Sequence, residues 1–170
     1  MKAMNSNKFS NIFSITEFGA QAGGTMVSTA AFSAAVEACS KAGGGTIYVP
    51  AGNFLTGSIR LESNMNLYLE AGAILTFVND INEYPVVNSR WEGVQREVYA
   101  SCIYGEYIEN VSVTGFGTLE GQGEFWWKLH SEKKNEYPRP KFISFHGCKK
   151  VLIEGITLKN SPSWTINPIC

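Results

Sequence analysis

Three stretches of this chain repeat one short text, and a repeat restricts the possible folds more than any bulk property. "NLYLEAGAIL" begins at Asn66, "NVSVTGFGTL" at Asn110 and "KVLIEGITL" at Lys150. Each is a polar residue, an apolar-x-apolar strand, a turn containing Gly, and a second short strand ending in Leu. The starts lie 44 and then 40 residues apart, and each interval holds a further strand, "CIYG" or "FISFHG". Two solenoid turns per interval, of about 20–22 residues each, fall within the range of known repeats. In such a stack every coil buries its inward side chains on its neighbours. Gly takes the tight corners, and Asn66 and Asn110 are placed to stack at equivalent corners. A β-sandwich also uses short strands at regular spacing, but it has no need to repeat the same strand–turn–strand text.

A single segment carries a helical period. In "VSTAAFSAAVEACSKAGGG", Phe32, Ala35, Val36 and Cys39 fall at i, i+3, i+4 and i+7 and form one apolar face. Ser28 is the expected N-cap, with Thr25 as the alternative, and Gly43 is the expected stop. A strand-like "FSITEFG" precedes it. The open end of a stack of strands needs a cover, and this helix is suited to capping the first coil. The expectation is an all-β solenoid over residues 15–170 with a short N-terminal capping helix, preceded by a tail over residues 1–14.

The net charge of −1 gives no electrostatic footprint for nucleic acid or for an anionic membrane surface. No apolar stretch approaches the ~18–20 residues of a membrane span. The start "MKAMNSNKFSNIFSITEFG" has no apolar core of a secretory signal. As written the chain reads as cytoplasmic, or as secreted or periplasmic if a leader has been removed. The four cysteines, Cys39, Cys102, Cys148 and Cys170, match no metal-ligand spacing and read as reduced, buried thiols. No metal or cofactor is expected.

The segment "ITEFGAQAGG…TAAFSAAVEACSKAGGGTIYVPAGNFLTGSIRLESNMNLYLEAGAIL" resembles the N-terminal part of glycoside hydrolase family 28, the polygalacturonases and related pectin-degrading enzymes. So do "RWEGVQREVYASCIYGEYIENVSVTGFGTLEGQGEFWW" and "RPKFISFHGCKKVLIEGITLKNSPSWTINP". The first block is shared with pectate-lyase-like proteins and phage tail spikes; "GTLEGQGEFWW" together with "RPKFISF…NSPSWTINP" is much more specific. "RWEG" is similar to a segment of the exo-acting bacterial members.

The resemblance implies a right-handed parallel β-helix and inverting hydrolysis of α-1,4-galacturonide bonds. In that reaction one carboxyl protonates the leaving oxygen while carboxylate base function activates a water. The family's catalytic aspartates lie in an Asn-Thr-Asp-Gly motif and a following Asp-Asp pair, with Gly-His-Gly and Arg-x-Lys motifs beside them. All lie C-terminal to the segment that "NSPSWTINP" resembles. This sequence holds one aspartate, Asp80, and neither His130 nor His146 sits in a Gly-His-Gly context. Glu106, Glu109, Glu120 and Glu124 cluster in sequence but read as solvated turn and strand residues. The chain is therefore expected to be the first coils of such a hydrolase, ending before the catalytic coil and inactive alone, with self-association through an open last coil.

What the resemblance leaves to this chain is substrate surface: Trp91 and Glu92 of "RWEG", Arg139, Trp164 and Asn167, with Trp126 and Trp127 at further motif positions. An arginine can grip a uronate carboxylate bidentately, and aromatic faces can carry sugar rings. Asn167 stands where related sequences often have His, keeping a donor and an acceptor without a titrating group. The expected partner is a galacturonan or pectin oligosaccharide. Two other readings remain: a non-catalytic carbohydrate-binding or structural solenoid, favoured by the missing aspartates, and a pectate lyase, for which no Ca²⁺-ligand carboxylate cluster is evident. Asn110-Val111-Ser112 matches a glycosylation sequon but reads as a structural corner.

Overall fold

The computed structural model describes residues 11–169. Strand β1 (Ile12–Ser14) and a 3-10 turn (Ile15–Phe18) lead to helix α1 (Thr29–Lys41). The first coil follows as β2 (Gly45–Val49), β3 (Gly52–Thr56) and β4 (Ile59–Arg60). The second is β5 (Met65–Leu69), β6 (Ala73–Phe77), an inserted hairpin β7 (Val86–Trp91) and β8 (Val94–Tyr99), and β9 (Ile103–Glu106). The third is β10 (Glu109–Gly115), β11 (Thr118–Glu120), an inserted helix α2 (Gly123–Ser131), and β12 (Ile143–His146). The fourth is β13 (Lys149–Glu154), β14 (Thr157–Lys159) and β15 (Ile166–Ile169).

Strands one coil apart pair in parallel and build three sheets: β1-β2-β5-β10-β13, β3-β6-β11-β14 and β4-β9-β12-β15. Parallel strands joined by crossovers take the right-handed connection, and the result is a right-handed parallel β-helix. The expected strand inside "FSITEFG" starts earlier and is shorter, since β1 opens at Ile12 and its continuation is the 3-10 turn. The stack thus reaches into the segment expected as a tail; residues 1–10 lie outside the described residues.

Coil length differs from the sequence expectation. β5, β10 and β13 are direct neighbours in one sheet, so each interval of the repeat is one coil and not two. "CIYG" and "FISFHG" are β9 and β12, the third face of their own coils. The bare coil is the first, where Gly45 pairs with Met65. The hairpin and α2 enlarge the next two.

The core is made of columns of side chains, one rung per coil. Ile47, Leu67 and Val113 align in the first sheet, Phe54, Leu75 and Leu119 in the second, and Ile59, Ile103 and Ile143 in the third. All are buried. Helix α1 covers the first coil with Phe32, Ala35, Val36 and Cys39, the face read from the sequence. Ser28 occupies the N-cap position, but its hydroxyl makes no capping bond. The neighbouring Thr29 hydroxyl instead accepts from Gly57 N–H and donates to Glu83. The C-terminus closes as expected, with Gly43 at φ +86° and Gly44 N–H bonded to the Cys39 carbonyl.

The polar corner is Asn64–Asn110–Lys150, not Asn66–Asn110. These three share a left-handed φ of +63°, +55° and +55°, and Asn110 Nδ2 donates to Asn64 Oδ1 at 2.9 Å. The sequon asparagine is therefore spent on the corner. Asn66 lies within β5, where its Oδ1 accepts from the Ser112 and Thr114 hydroxyls. Cys39 and Cys102 are buried free thiols, and burial pushes both above the ordinary thiol range.

Candidate substrate-binding site

The hairpin is what turns a plain solenoid into a surface with a cleft. Its two-residue turn, Glu92-Gly93, has φ of +49° and +86°, the paired left-handed conformation that matches strand twist in a tight hairpin. Its foot is braced: Ala100 N–H bonds the Pro85 carbonyl, and the buried Tyr84 hydroxyl donates to the Val78 carbonyl at 2.9 Å. Tyr84 and Tyr99 both pack on Trp126 of α2, with ring centroids 5.1 and 5.6 Å away. The two insertions therefore hold each other, and the fully buried Trp126 is the peg between them.

The hairpin lies against the outward face of the third sheet. There the side chains alternate, so the rung that buries Ile103 and Ile143 turns Tyr104 and Ser144 outward, and His146 pairs with Glu106 one step on. Ser89 and Trp91 of β7 face these residues, and Arg139 and Lys141 close the cleft. The enclosed space is about 10 Å³, roughly room for one water. The open surface lies instead along the rim, where Trp164 is 41% exposed.

Lys141 organises the cleft. It is 3% exposed, yet its ammonium has one hydrogen-bond acceptor, the Arg90 carbonyl at 2.7 Å. Trp91 and Trp164 flank it with ring centroids 5.8 and 5.7 Å from Nζ, within cation–π range, and 4.6 Å from each other. Burial pushes its pKa down to about 8, leaving the group mostly charged at neutral pH. Arg139 donates from Nη1 to the Pro162 carbonyl at 3.2 Å, while its buried Nε–H has no partner among the described residues. The ion pairs found among the described residues, Lys41–Glu37 and Lys134–Glu132, lie elsewhere. Two cations thus stand in the cleft against one carboxylate, Glu106. Desolvated charge without a counter-ion is costly, and an anionic ligand relieves that cost.

Of the residues expected from the sequence, the structure brings Trp91, Arg139 and Trp164 together. Asn167 pairs with Ser144 one coil on, and its buried Oδ1 has no partner among the described residues. Glu92 sits apart, exposed at the hairpin tip as a turn residue. Trp126 belongs to the core, whereas Trp127 is half-exposed. Sequence reasoning missed Lys141, although "RPK" carried the signal: in an extended segment Lys141 shares a face with Arg139. It also missed Tyr104 and Ser144, readable from alternation in "CIYG" and "FISFH". Asp80 accepts from the backbone and side chain of Asn82 in an exposed turn.

The family model described as glycosyl hydrolases family 28 matches residues 39–169 of this chain. The chain belongs to that family. Among curated relatives of this family 28 chain, a probable polygalacturonase of Vitis vinifera is 37% identical over 165 residues, covering 92% of this chain and 34% of the relative. The exo-poly-alpha-D-galacturonosidase of Dickeya chrysanthemi is 31% identical over 159 residues, covering 88% of this chain and 25% of the relative. The crystal structure of an exopolygalacturonase from Thermotoga maritima superposes with a TM-score of 0.84 at 33% identity, covering 93% of this chain and 44% of that one. The family 28 chain thus spans about a quarter to a third of the length of these curated relatives. A mannuronan C-5 epimerase module from Azotobacter vinelandii, at 18% identity and a TM-score of 0.63, shares the fold alone.

Proposed function

We propose that these coils are the substrate-binding front of a polygalacturonase-type hydrolase that inverts configuration at α-1,4-galacturonide bonds. The observation that carries the reading is the pair of cations, Arg139 and Lys141, standing in a cleft beside Trp91 and Trp164, whose rings touch at a 50° tilt, with no ion-pair partner among the described residues. A uronate offers what this arrangement lacks: a carboxylate for the cations and C–H faces for the indoles. Family membership and polygalacturonase relatives support the same substrate class.

Catalysis is a separate matter. Inversion needs two carboxyl functions about 6.5–9.5 Å apart across the bond. The cleft has Glu106 alone, and the sequence's one aspartate is tied into a turn. On this reading the 170 residues bind but do not hydrolyse. The hairpin, seated across the outward face of the third sheet, also favours action at a chain end over action in mid-chain, because a polymer running along that face meets β7. Two of the relatives described above bear the exo- designation.

The test is to incubate homogeneous 170-residue protein with tri- and tetragalacturonate, measuring binding by calorimetry and new reducing ends in the same samples. Binding without new reducing ends is expected. Reducing-end release at a rate that follows protein concentration refutes the inactivity, and no binding refutes the substrate surface. The alternative, a non-catalytic carbohydrate-binding solenoid, rests on the same missing aspartates. It predicts that joining these coils to the catalytic coils of a family 28 relative restores no turnover.

A further inference from the structure

On the flank formed by the second sheet lies a depression of about 620 Å³, within the size range of small-molecule sites. It runs along the start of α2. We infer that it is a saccharide platform for a neutral sugar, centred on Trp127.

The indole of Trp127 is held rather than free. Its Nε1–H donates to the Ser161 carbonyl at 2.9 Å, and its benzo edge packs over Gly123, where an added Cβ would strike both the ring and the Ser161 carbonyl. Fixed in this way, it still leaves 46% of its surface open. Trp126, one residue earlier, is fully buried, so α2 uses one tryptophan to dock and presents the other.

Beside the ring runs a strip of polar groups already bonded to one another. Glu120 receives Asn160 Nδ2 on both oxygens at 3.0 Å and Gln122 N–H on Oε1 at 3.0 Å. Gln122 donates from Nε2 to the Phe77 carbonyl at 2.9 Å and accepts from Asn79 at 3.1 Å. Gln122 holds this place in a left-handed backbone, φ +45°, a conformation that strains a non-Gly residue. Amides and a carboxylate held at fixed spacing next to an indole suit a pyranose, whose hydroxyls hydrogen-bond on one edge while its C–H face lies on the ring. Pre-organisation of this kind lowers the entropic cost of binding.

Charge sets the class of sugar. The depression has Glu120 and Glu124 against Lys128, the reverse of the Trp91 cleft. A uronate is repelled here and a neutral sugar is not. The inference does not rest on the reading of the cleft, since it uses other residues on another sheet.

The experiment is a titration of the ¹⁵N-labelled 170-residue protein with galactobiose, a neutral disaccharide, and separately with digalacturonate. Saturable shifts of the Trp127 indole N–H and the Gln122 and Asn160 side-chain amides are expected with galactobiose. On those signals digalacturonate binds at least tenfold more weakly. Trp127→Ala weakens galactobiose binding at least tenfold, read on Gln122 and Asn160. If that variant melts early, Glu124→Lys decides: it narrows the gap between the two sugars. No saturable shift, equal response to both sugars, unchanged binding in Trp127→Ala, or an unchanged gap in Glu124→Lys overturns the inference.

Discussion

The ammonium of Lys141 lies 2.7 Å from the carbonyl oxygen of Arg90, so one buried cation joins the segment leading into β12 to the hairpin that walls the cleft. The bond ties affinity to protonation. Burial pushes Lys141 down to about 8 from 10.5, and the cation therefore disappears as pH rises through about 8. Oligogalacturonate is fully ionised throughout that range, so its affinity should fall between pH 7 and 9. Lys141→Met, of similar length and without charge, should bind several-fold more weakly at pH 7 and show a flat profile. Calorimetry of both proteins at pH 6.5, 7.5, 8.5 and 9.5 checks it.

The same depressed value makes folding stability depend on pH. Between about 8 and 10.5 the unfolded lysine holds a proton that the folded one has released. Stability from this group therefore rises with pH across that window and is lowest below it. Chemical denaturation midpoints of wild type against Lys141→Met should converge as pH approaches 10.

Gly115 ends β10 with φ +119°, and an added Cβ there would overlap the Leu69 carbonyl of the coil below. Gly115→Ala combines left-handed strain with overpacking, and should cost roughly 2–4 kcal/mol. Gly93, also at positive φ but with open space around it, should cost about 1 kcal/mol when changed to Ala. The contrast between the two melting curves separates close approach from backbone conformation.

The paired tryptophans of "EFWW" should divide in the same manner. Trp126 is fully buried between Tyr84, Tyr99 and Phe125, and Trp126→Ala should destabilise by about 3–5 kcal/mol. Trp127→Ala removes a half-exposed ring and one hydrogen bond, about 1–2 kcal/mol. Urea unfolding of each variant distinguishes them.

The outermost coil presents Val151, Leu152 and Ile166 at 40–50% exposure, with an apolar cavity lined by Ile143, Phe145 and Ile153 beside them. Unpaired strand edges with exposed apolar side chains promote association. The 170-residue protein should elute with a concentration-dependent size, and Leu152→Lys should shift it toward monomer. A constant monomeric size from micromolar to millimolar concentration contradicts this.

The fold was legible because its repeat is written in apolar alternation, which survives small errors. The textual alignment set Asn66 on Asn110, whereas the structure pairs Asn66 with Ser112. A slip of two leaves every side chain on its own face, so the inward face is the one expected while its partner one coil on and the corner residue are displaced by two. The coil count failed for a different reason. The extra strand in each interval suggests a second coil, because β9 and β12 are as short and apolar as the strands of the other sheets. The cleft was half legible: Trp91, Arg139 and Trp164 converge, but Glu92 is consumed by a hairpin turn. Lys141 passed unnoticed because a lysine is usually solvated, and only the tertiary placement of the hairpin buries this one.

The most direct test compares trigalacturonate with its fully methyl-esterified form in a binding titration of this chain at pH 7. The two differ in charge and little else, so the comparison isolates the role of Arg139 and Lys141. Binding of the acid at least tenfold tighter, with the difference lost in the Arg139→Gln, Lys141→Met double variant, is the predicted result. Equal affinity for the two forms, or no binding of either, would contradict the assignment of this cleft to an acidic saccharide.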